Sequence, residues 1–148
     1  MSIALPENPN CEYTQASFRL AGDGLICAVV ESRTGLTGDF GADKDQLRRS
    51  QTGRGTRQPT GVWYISSKDR LGSTSLERHL LCVLEIVEPA KRELLEVAAE
   101  QSLSIDFYCY WVSATGQGGP AVSAETMRRL CDFGATLGFE LHGPWGED

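Results

Sequence analysis

Polar and apolar residues alternate strictly from Tyr13 to Ala21, with Ala16, Phe18 and Leu20 on one side and Gln15, Ser17 and Arg19 on the other. A period of two with one apolar side predicts a strand buried on one face. Gly22-Asp23-Gly24 then reads as a turn, with Asp23 or Gly24 as cap. Leu25, Ile26, Val29 and Val30 follow at helical spacing and predict a helix ended by Gly35. Gly38 to Lys44 reads as a short second strand. Gly61 to Ser67 carries Val62, Trp63, Tyr64 and Ile65, all good strand formers.

Thr74 and Glu77 have the spacing of a capping box, and Leu76, Leu80, Leu84 and Val87 continue as an apolar helical stripe. Pro89 interrupts it. A second helical segment restarts there and carries Leu94, Val97 and Ala98 toward Gln101, because proline suits a first turn and breaks an interior. Leu103 to Val112 is the most regular strand pattern: Leu103, Ile105, Phe107, Cys109 and Trp111 share one side, and Ser104, Asp106, Tyr108 and Tyr110 the other. Ser123 caps a last helix predicted to turn Met127, Leu130, Cys131, Gly134 and Leu137 inward, with Gly138 closing it. Phe139 to His142 forms a final strand before Pro144.

The order is thus β-α-β-β-α-β followed by an α-β pair. The expected fold is α+β: the ferredoxin-like, split β-α-β order with an additional C-terminal α-β pair, an antiparallel or mixed sheet, and helices on one face. Residues 1–12 read as a flexible N-terminal arm, and 13–148 as one α+β domain. A chain of 148 residues with 41% apolar content can bury a core of its own. No apolar run has the length of a membrane span, and the N-terminus lacks the basic and apolar regions of a signal peptide. Five scattered cysteines without a C-x-x-C fit reduced thiols. A cytoplasmic protein is the expectation.

The net charge of −6 disfavours nucleic acid as partner, but the charge is uneven. Lys44, Arg48, Arg49, Arg54 and Arg57 stand against Asp45 alone within residues 44–58, a local +4 that leaves −10 on the rest of the chain. Gln46 to Thr60, which holds most of this cluster with two glycines and a proline, reads as a long mobile loop, a kind that is often functional.

Several of these segments together resemble a known family. They are the Tyr13–Gly22 strand, the Gly61-Val-Trp63 strand start, the helix from Leu76-Glu-Arg-His-Leu80 to Glu88-Pro89, and the Gly118–Leu130 stretch. Their order and spacing resemble the bacterial domain-of-unknown-function family DUF4279. The resemblance implies a stand-alone bacterial cytoplasmic protein and carries no activity with it.

Motifs with chemical content are few. Gly116-x-Gly118-x-x-Ala121, with Glu140 downstream, is a relaxed dinucleotide fingerprint. The helix begins only after Ser123, and Glu140 starts its strand where a ribose-binding acid would end it, so a plain strand–helix turn is the better reading. His79 and Cys82 lie three apart on a helix, but a structural zinc needs four ligands; His79 reads as a partly exposed helix histidine. No G-x-S-x-G or phosphate-binding P-loop occurs, and helical cysteines are usually packing residues. No cofactor and no metal is expected.

Two functions of different class remain. The favoured one is a non-catalytic binding or interaction module, in one version an inhibitor or immunity-type protein, which engages a protein partner or a second copy. It would use the basic loop, or the uncovered sheet face with Tyr108 and Tyr110 as candidate interface residues, against a protein or an anionic ligand. The alternative is an enzyme or small-molecule sensor that holds an anionic ligand at the 44–58 loop. Lys44, Arg48, Arg49, Arg54 and Arg57 would bind the anion and Trp63 would form the floor.

Overall fold

The computed structural model describes residues 5–49, 53 and 55–144. Five strands make one mixed sheet in the order β2-β5-β1-β6-β7: β1 is Cys11–Gly22, β2 Phe40–Ala42, β5 Gly61–Ser66, β6 Ser104–Ser113 and β7 Thr136–His142. Neighbours are antiparallel except β6 and β7, which run parallel and are joined by the helix α4, Ala124–Cys131. A parallel pair needs such a crossover, whereas antiparallel strands can be joined by a tight turn.

The period of two on β1 and β6 divides the sheet into two faces. Ala16, Phe18, Leu20, Phe107, Cys109 and Trp111 point into the core. The helix α2, Leu76–Val87, lays Leu76, Leu80, Val83, Leu84 and Val87 on them. Pro89 sits in a 3-10 turn, Glu88–Ala90, from which α3, Lys91–Glu100, restarts and buries Leu94, Val97 and Ala98. Helix α1, Cys27–Thr34, adds Val30 to the same core and ends at Gly35 with φ 72.

Local capping departs from the sequence reading. Ser75, not Thr74, caps α2 by accepting from the Arg78 amide. Glu77 is freed from the cap and turns inward. On α4 only part of the expected inward stripe is buried: Leu130 is, while Met127 is 47% exposed and Cys131 lies on the surface. The helix ends at Cys131, too early to carry Gly134 and Leu137. Leu137 and Gly138 belong instead to β7.

Residues 5–10 do not hang loose. The Leu5 amide donates to Glu77 Oε2, its carbonyl accepts from Ser75 Oγ and Arg78 Nε, Glu7 binds Ser73 and Thr74, and the Asn8 amide donates to Thr74 Oγ1. The segment therefore serves as a second cap over the start of α2.

Candidate functional site

The open face of the sheet carries the side chains of opposite parity. On β1 these are Tyr13, Gln15, Ser17 and Arg19. The register sets Ser17 between Ser66 of β5 and Tyr108 of β6, and Arg19 between Tyr64 and Asp106. Ser17 and Ser66 are too short to fill the space between their larger neighbours. A depression of about 690 Å³ results, edged by Arg19, Tyr64, Tyr108, Asp39, Lys68 and Arg70. A shallower one of about 440 Å³ adjoins it through Asp69 and Arg70 and is edged by Tyr13, Leu71 and Gly72.

The walls are held by cross-strand bonds. Arg19 donates through Nε and Nη2 to both oxygens of Asp106, at 2.8 and 2.6 Å, and its guanidinium lies 4.1 Å from the Tyr108 ring centroid. Arg70 pairs with both oxygens of Asp39, at 2.7 and 3.2 Å, and Asp39 also accepts from the Ser66 amide. Planar two-point pairs of this kind fix orientation as well as energy. The Tyr108 hydroxyl donates to Glu140 at 2.8 Å, which pushes its own titration up; Glu140 is bonded in turn by His142. Tyr110 lies beside His142, with ring centroids 5.0 Å apart, and Tyr64 stacks on Phe40 at 5.5 Å.

The basic stretch is built differently from a loop. Leu47–Arg49, β3, and Gly55–Arg57, β4, pair antiparallel, in the same register as β2 with β5. Backbone bonds from Asp45 to Gln58 and from Gln58 to Gln46 bridge the two parts. The hairpin thus projects as a continuation of β2 and β5 beyond the sheet. Lys44 is engaged by Asp23 at 3.4 Å, and Arg57 donates to the Asp45 carbonyl at 3.0 Å. Arg48 is exposed. Arg54 and the side chain of Arg49 lie outside the described residues. Trp63 forms no floor here. It is fully buried on the opposite face, packs edge-on to Phe18, and donates its Nε1 hydrogen to Glu31.

Several candidate nucleophiles are buried or have raised thiol titrations. His79 is 1% exposed rather than partly exposed. Its Nε2 lies 2.7 Å from the Ser73 carbonyl and so must carry the hydrogen, which leaves Nδ1 to accept from Ser67 Oγ, also at 2.7 Å. Burial pushes its titration down, and both nitrogens are used, so none remains for a metal. Ser67 is wholly buried and also accepts from the Ala16 amide. This serine–histidine pair ties β1 to α2 without access for a substrate. Burial and Asp43 push the Cys27 thiol up to about 12, and burial does the same to Cys109. Among the described residues no group of three or more His, Cys, Asp or Glu is placed to hold a metal ion, and no helix is long and apolar enough to cross a membrane.

The Gly116–Ala121 loop binds the chain itself. A β-carbon on Gly118 would stand 2.8 Å from Asn10 Cβ, and φ there is 78, so the glycine admits the N-terminal segment rather than a phosphate. Asn8 Nδ2 donates to the Gly119 carbonyl across the same contact.

The alternation on β1 and β6 already shows Arg19, Ser17 and Asp106 sharing a polar side with Tyr108. Their conjunction with Tyr64, Ser66 and Arg70 depends on the register between strands far apart in sequence.

Fold and face together define a small α+β protein with one sheet face buried under helices and the other open and polar. A family model described as Domain of unknown function (DUF4279) matches residues 11–144, and the chain belongs to that family. No curated protein and no solved structure matches it.

Proposed function

We propose that the protein is a non-catalytic binding module whose site is the open sheet face, centred on Ser17, Ser66, Tyr64 and Tyr108. The observation that carries this reading is the depression over Ser17 and Ser66, about 690 Å³ in volume, whose walls are fixed by the Arg19–Asp106 and Arg70–Asp39 pairs. Its size is that of small-molecule sites, roughly 300–1,000 Å³. The sealed Ser67–His79 pair and the raised thiols of Cys27 and Cys109 support the non-catalytic part. The split β-α-β reading has support in the sheet order: β5 separates β1 from β2, and β1 separates β5 from β6, so each β-α-β unit is divided by a strand of the other. Five unpaired cysteines favour a reducing, cytoplasmic setting.

Amide chemical-shift mapping with a chemically mixed set of small probes tests the reading. The largest shifts are expected at Ser17, Tyr64, Ser66 and Tyr108. Shifts concentrated at Arg48 and Arg57 instead would overturn it and favour an anion site on the hairpin.

A second reading concerns a protein partner, and β7 favours it. Among the described residues β7 is an outer strand paired on one edge only, and Phe139 and Leu141 on it are 43% and 60% exposed. An exposed apolar edge is a template for strand pairing. A second copy meets it in antiparallel twofold pairing, and an axis at Leu141 sets Glu140 of each copy across from His142 of the other. Light scattering after size exclusion should show a dimer that Leu141→Lys converts to monomer. A monomer at concentrations up to about 1 mM rules this reading out.

A further inference from the structure

The charges of the open-face depression balance in number, and both of its guanidinium groups are already paired. Its edges carry three cations, Arg19, Lys68 and Arg70, and two carboxylates, Asp39 and Asp69. Asp106 stands behind Arg19 as the third carboxylate. Both guanidinium groups hold a carboxylate at two points. An anionic ligand at either guanidinium would have to displace its carboxylate and leave it without its counter-charge, which is unfavourable in a half-buried site, and the exposed Lys68 at the edge is offset by the neighbouring Asp69 carboxylate. The unbalanced +4 of residues 44–58 belongs to a different stretch of the chain, none of whose described residues lines the depression.

What the depression does offer is a set of fixed, neutralised polar groups. A guanidinium has five N–H donors and a carboxylate about four acceptor positions, so each pair keeps capacity after the two bonds it makes. Ser17 and Ser66 add hydroxyls at the floor. The tyrosine rings are braced: Phe40 stacks against Tyr64, and Arg19 lies over Tyr108. An aromatic ring has a negative face that attracts the weakly positive C–H groups of a saturated ring. Donors, acceptors and braced rings in a cleft without net charge complement a ligand whose hydroxyls both donate and accept and whose ring edge is apolar.

We propose, resting on the open-face reading above, that the ligand is a neutral saccharide. One sugar ring occupies the depression over Ser17 and Ser66. The adjoining depression, reached past Asp69 and Arg70 and bordered by Tyr13 and Leu71, gives room for a second. No covalent step is involved.

The test is a titration followed by amide chemical shifts, with phenyl β-D-glucopyranoside and cellobiose as saccharide probes and phenyl phosphate as the anionic one. The glucoside or the disaccharide should shift Ser17, Ser66, Tyr64 and Tyr108 with a Kd of order 1 mM. Added salt should leave that Kd unchanged, since exposed charge attraction is what salt screens. Tyr108→Ala should weaken binding at least about tenfold. Ser17→Leu, which fills the floor without touching the core, should abolish it while the thermal melt is preserved. Open-face shifts from phenyl phosphate alone, or a Kd that rises steeply with salt, would overturn the saccharide inference and leave the open-face reading standing. Saccharide-induced shifts confined to the hairpin would sink both. No shift from either saccharide overturns the inference, and the mixed-probe mapping then decides the broader reading by itself.

Discussion

Phe18→Ala should cost about 3–5 kcal/mol, the range for truncating a buried aromatic. Phe18 is fully buried on the central strand. Its ring centroid lies 5.4 Å from those of Phe107 and Phe133 and 6.5 Å from that of Trp63, with edge or tilted geometry throughout. Removing the ring thus takes a partner from three others and opens a void between β1, β5 and β6. Total stabilities of roughly 5–15 kcal/mol are usual for a domain, so this is a large share. Urea unfolding checks it: the midpoint should fall well below that of the wild type, and Phe18→Leu should recover more than half of the loss. A Phe18→Ala midpoint equal to the wild type would mean that the four rings do not form a single packing unit.

Glu77→Ala is the second large effect, about 2–3 kcal/mol, the cost of removing a charged acceptor from buried donors. Glu77 is 1% exposed and sits on α2. Its two oxygens accept the Leu5 amide and the Ser123 amide, both at 2.7 Å. One carboxylate therefore ties the N-terminal segment to the start of α4. Burial pushes the Glu77 carboxyl up, but bonds from Ser123, Leu5 and Thr126 outweigh it and the net shift is downward. Glu7, in the same segment, is held at about 2, chiefly by hydrogen bonds from Ser73 and Thr74.

A carboxyl whose folded value lies below its unfolded value stabilises the fold above that unfolded value. The contribution is lost as pH falls through the folded value. For Glu7 the window therefore runs from about 4.5 down to about 2. The melting temperature should fall steadily across this range, and Glu7→Gln should flatten the fall. Glu77→Gln, which keeps one acceptor oxygen, should lose less than Glu77→Ala. A melting temperature that stays level from pH 5 to about 2.5 would show that these carboxylates do not hold the segment in place.

Much of the fold is legible in the chain because its signals are local. The alternation on Tyr13–Ala21 and Leu103–Val112 gives two strands and the side each one buries. Pro89 gives the break between α2 and α3, and Gly35 the end of α1. The same alternation sets Tyr108 and Tyr110 on the polar face, where they stand. Other signals mislead for a local reason as well. A glycine- and arginine-rich stretch reads as a loop, yet Leu47–Arg49 and Gly55–Arg57 pair because they extend a ladder begun by Phe40–Ala42 and Gly61–Ser66. Trp63 follows closely on the cationic stretch in sequence, but the parity of β5 turns it to the other face.

By itself the sequence determined the type and order of the main elements, the uneven charge and the polar side of the two long strands, because each depends on neighbours within a few residues. Only the tertiary structure decided where a site could lie. Ser17 meets Ser66 and Tyr108, Arg19 meets Asp106, and Arg70 meets Asp39 across 31 to 91 positions of chain, because interstrand register depends on the packing of the whole core. The same packing turned Glu77 and His79 from surface helix residues into buried anchors, since the N-terminal segment and the Ser67 turn close over the start of α2.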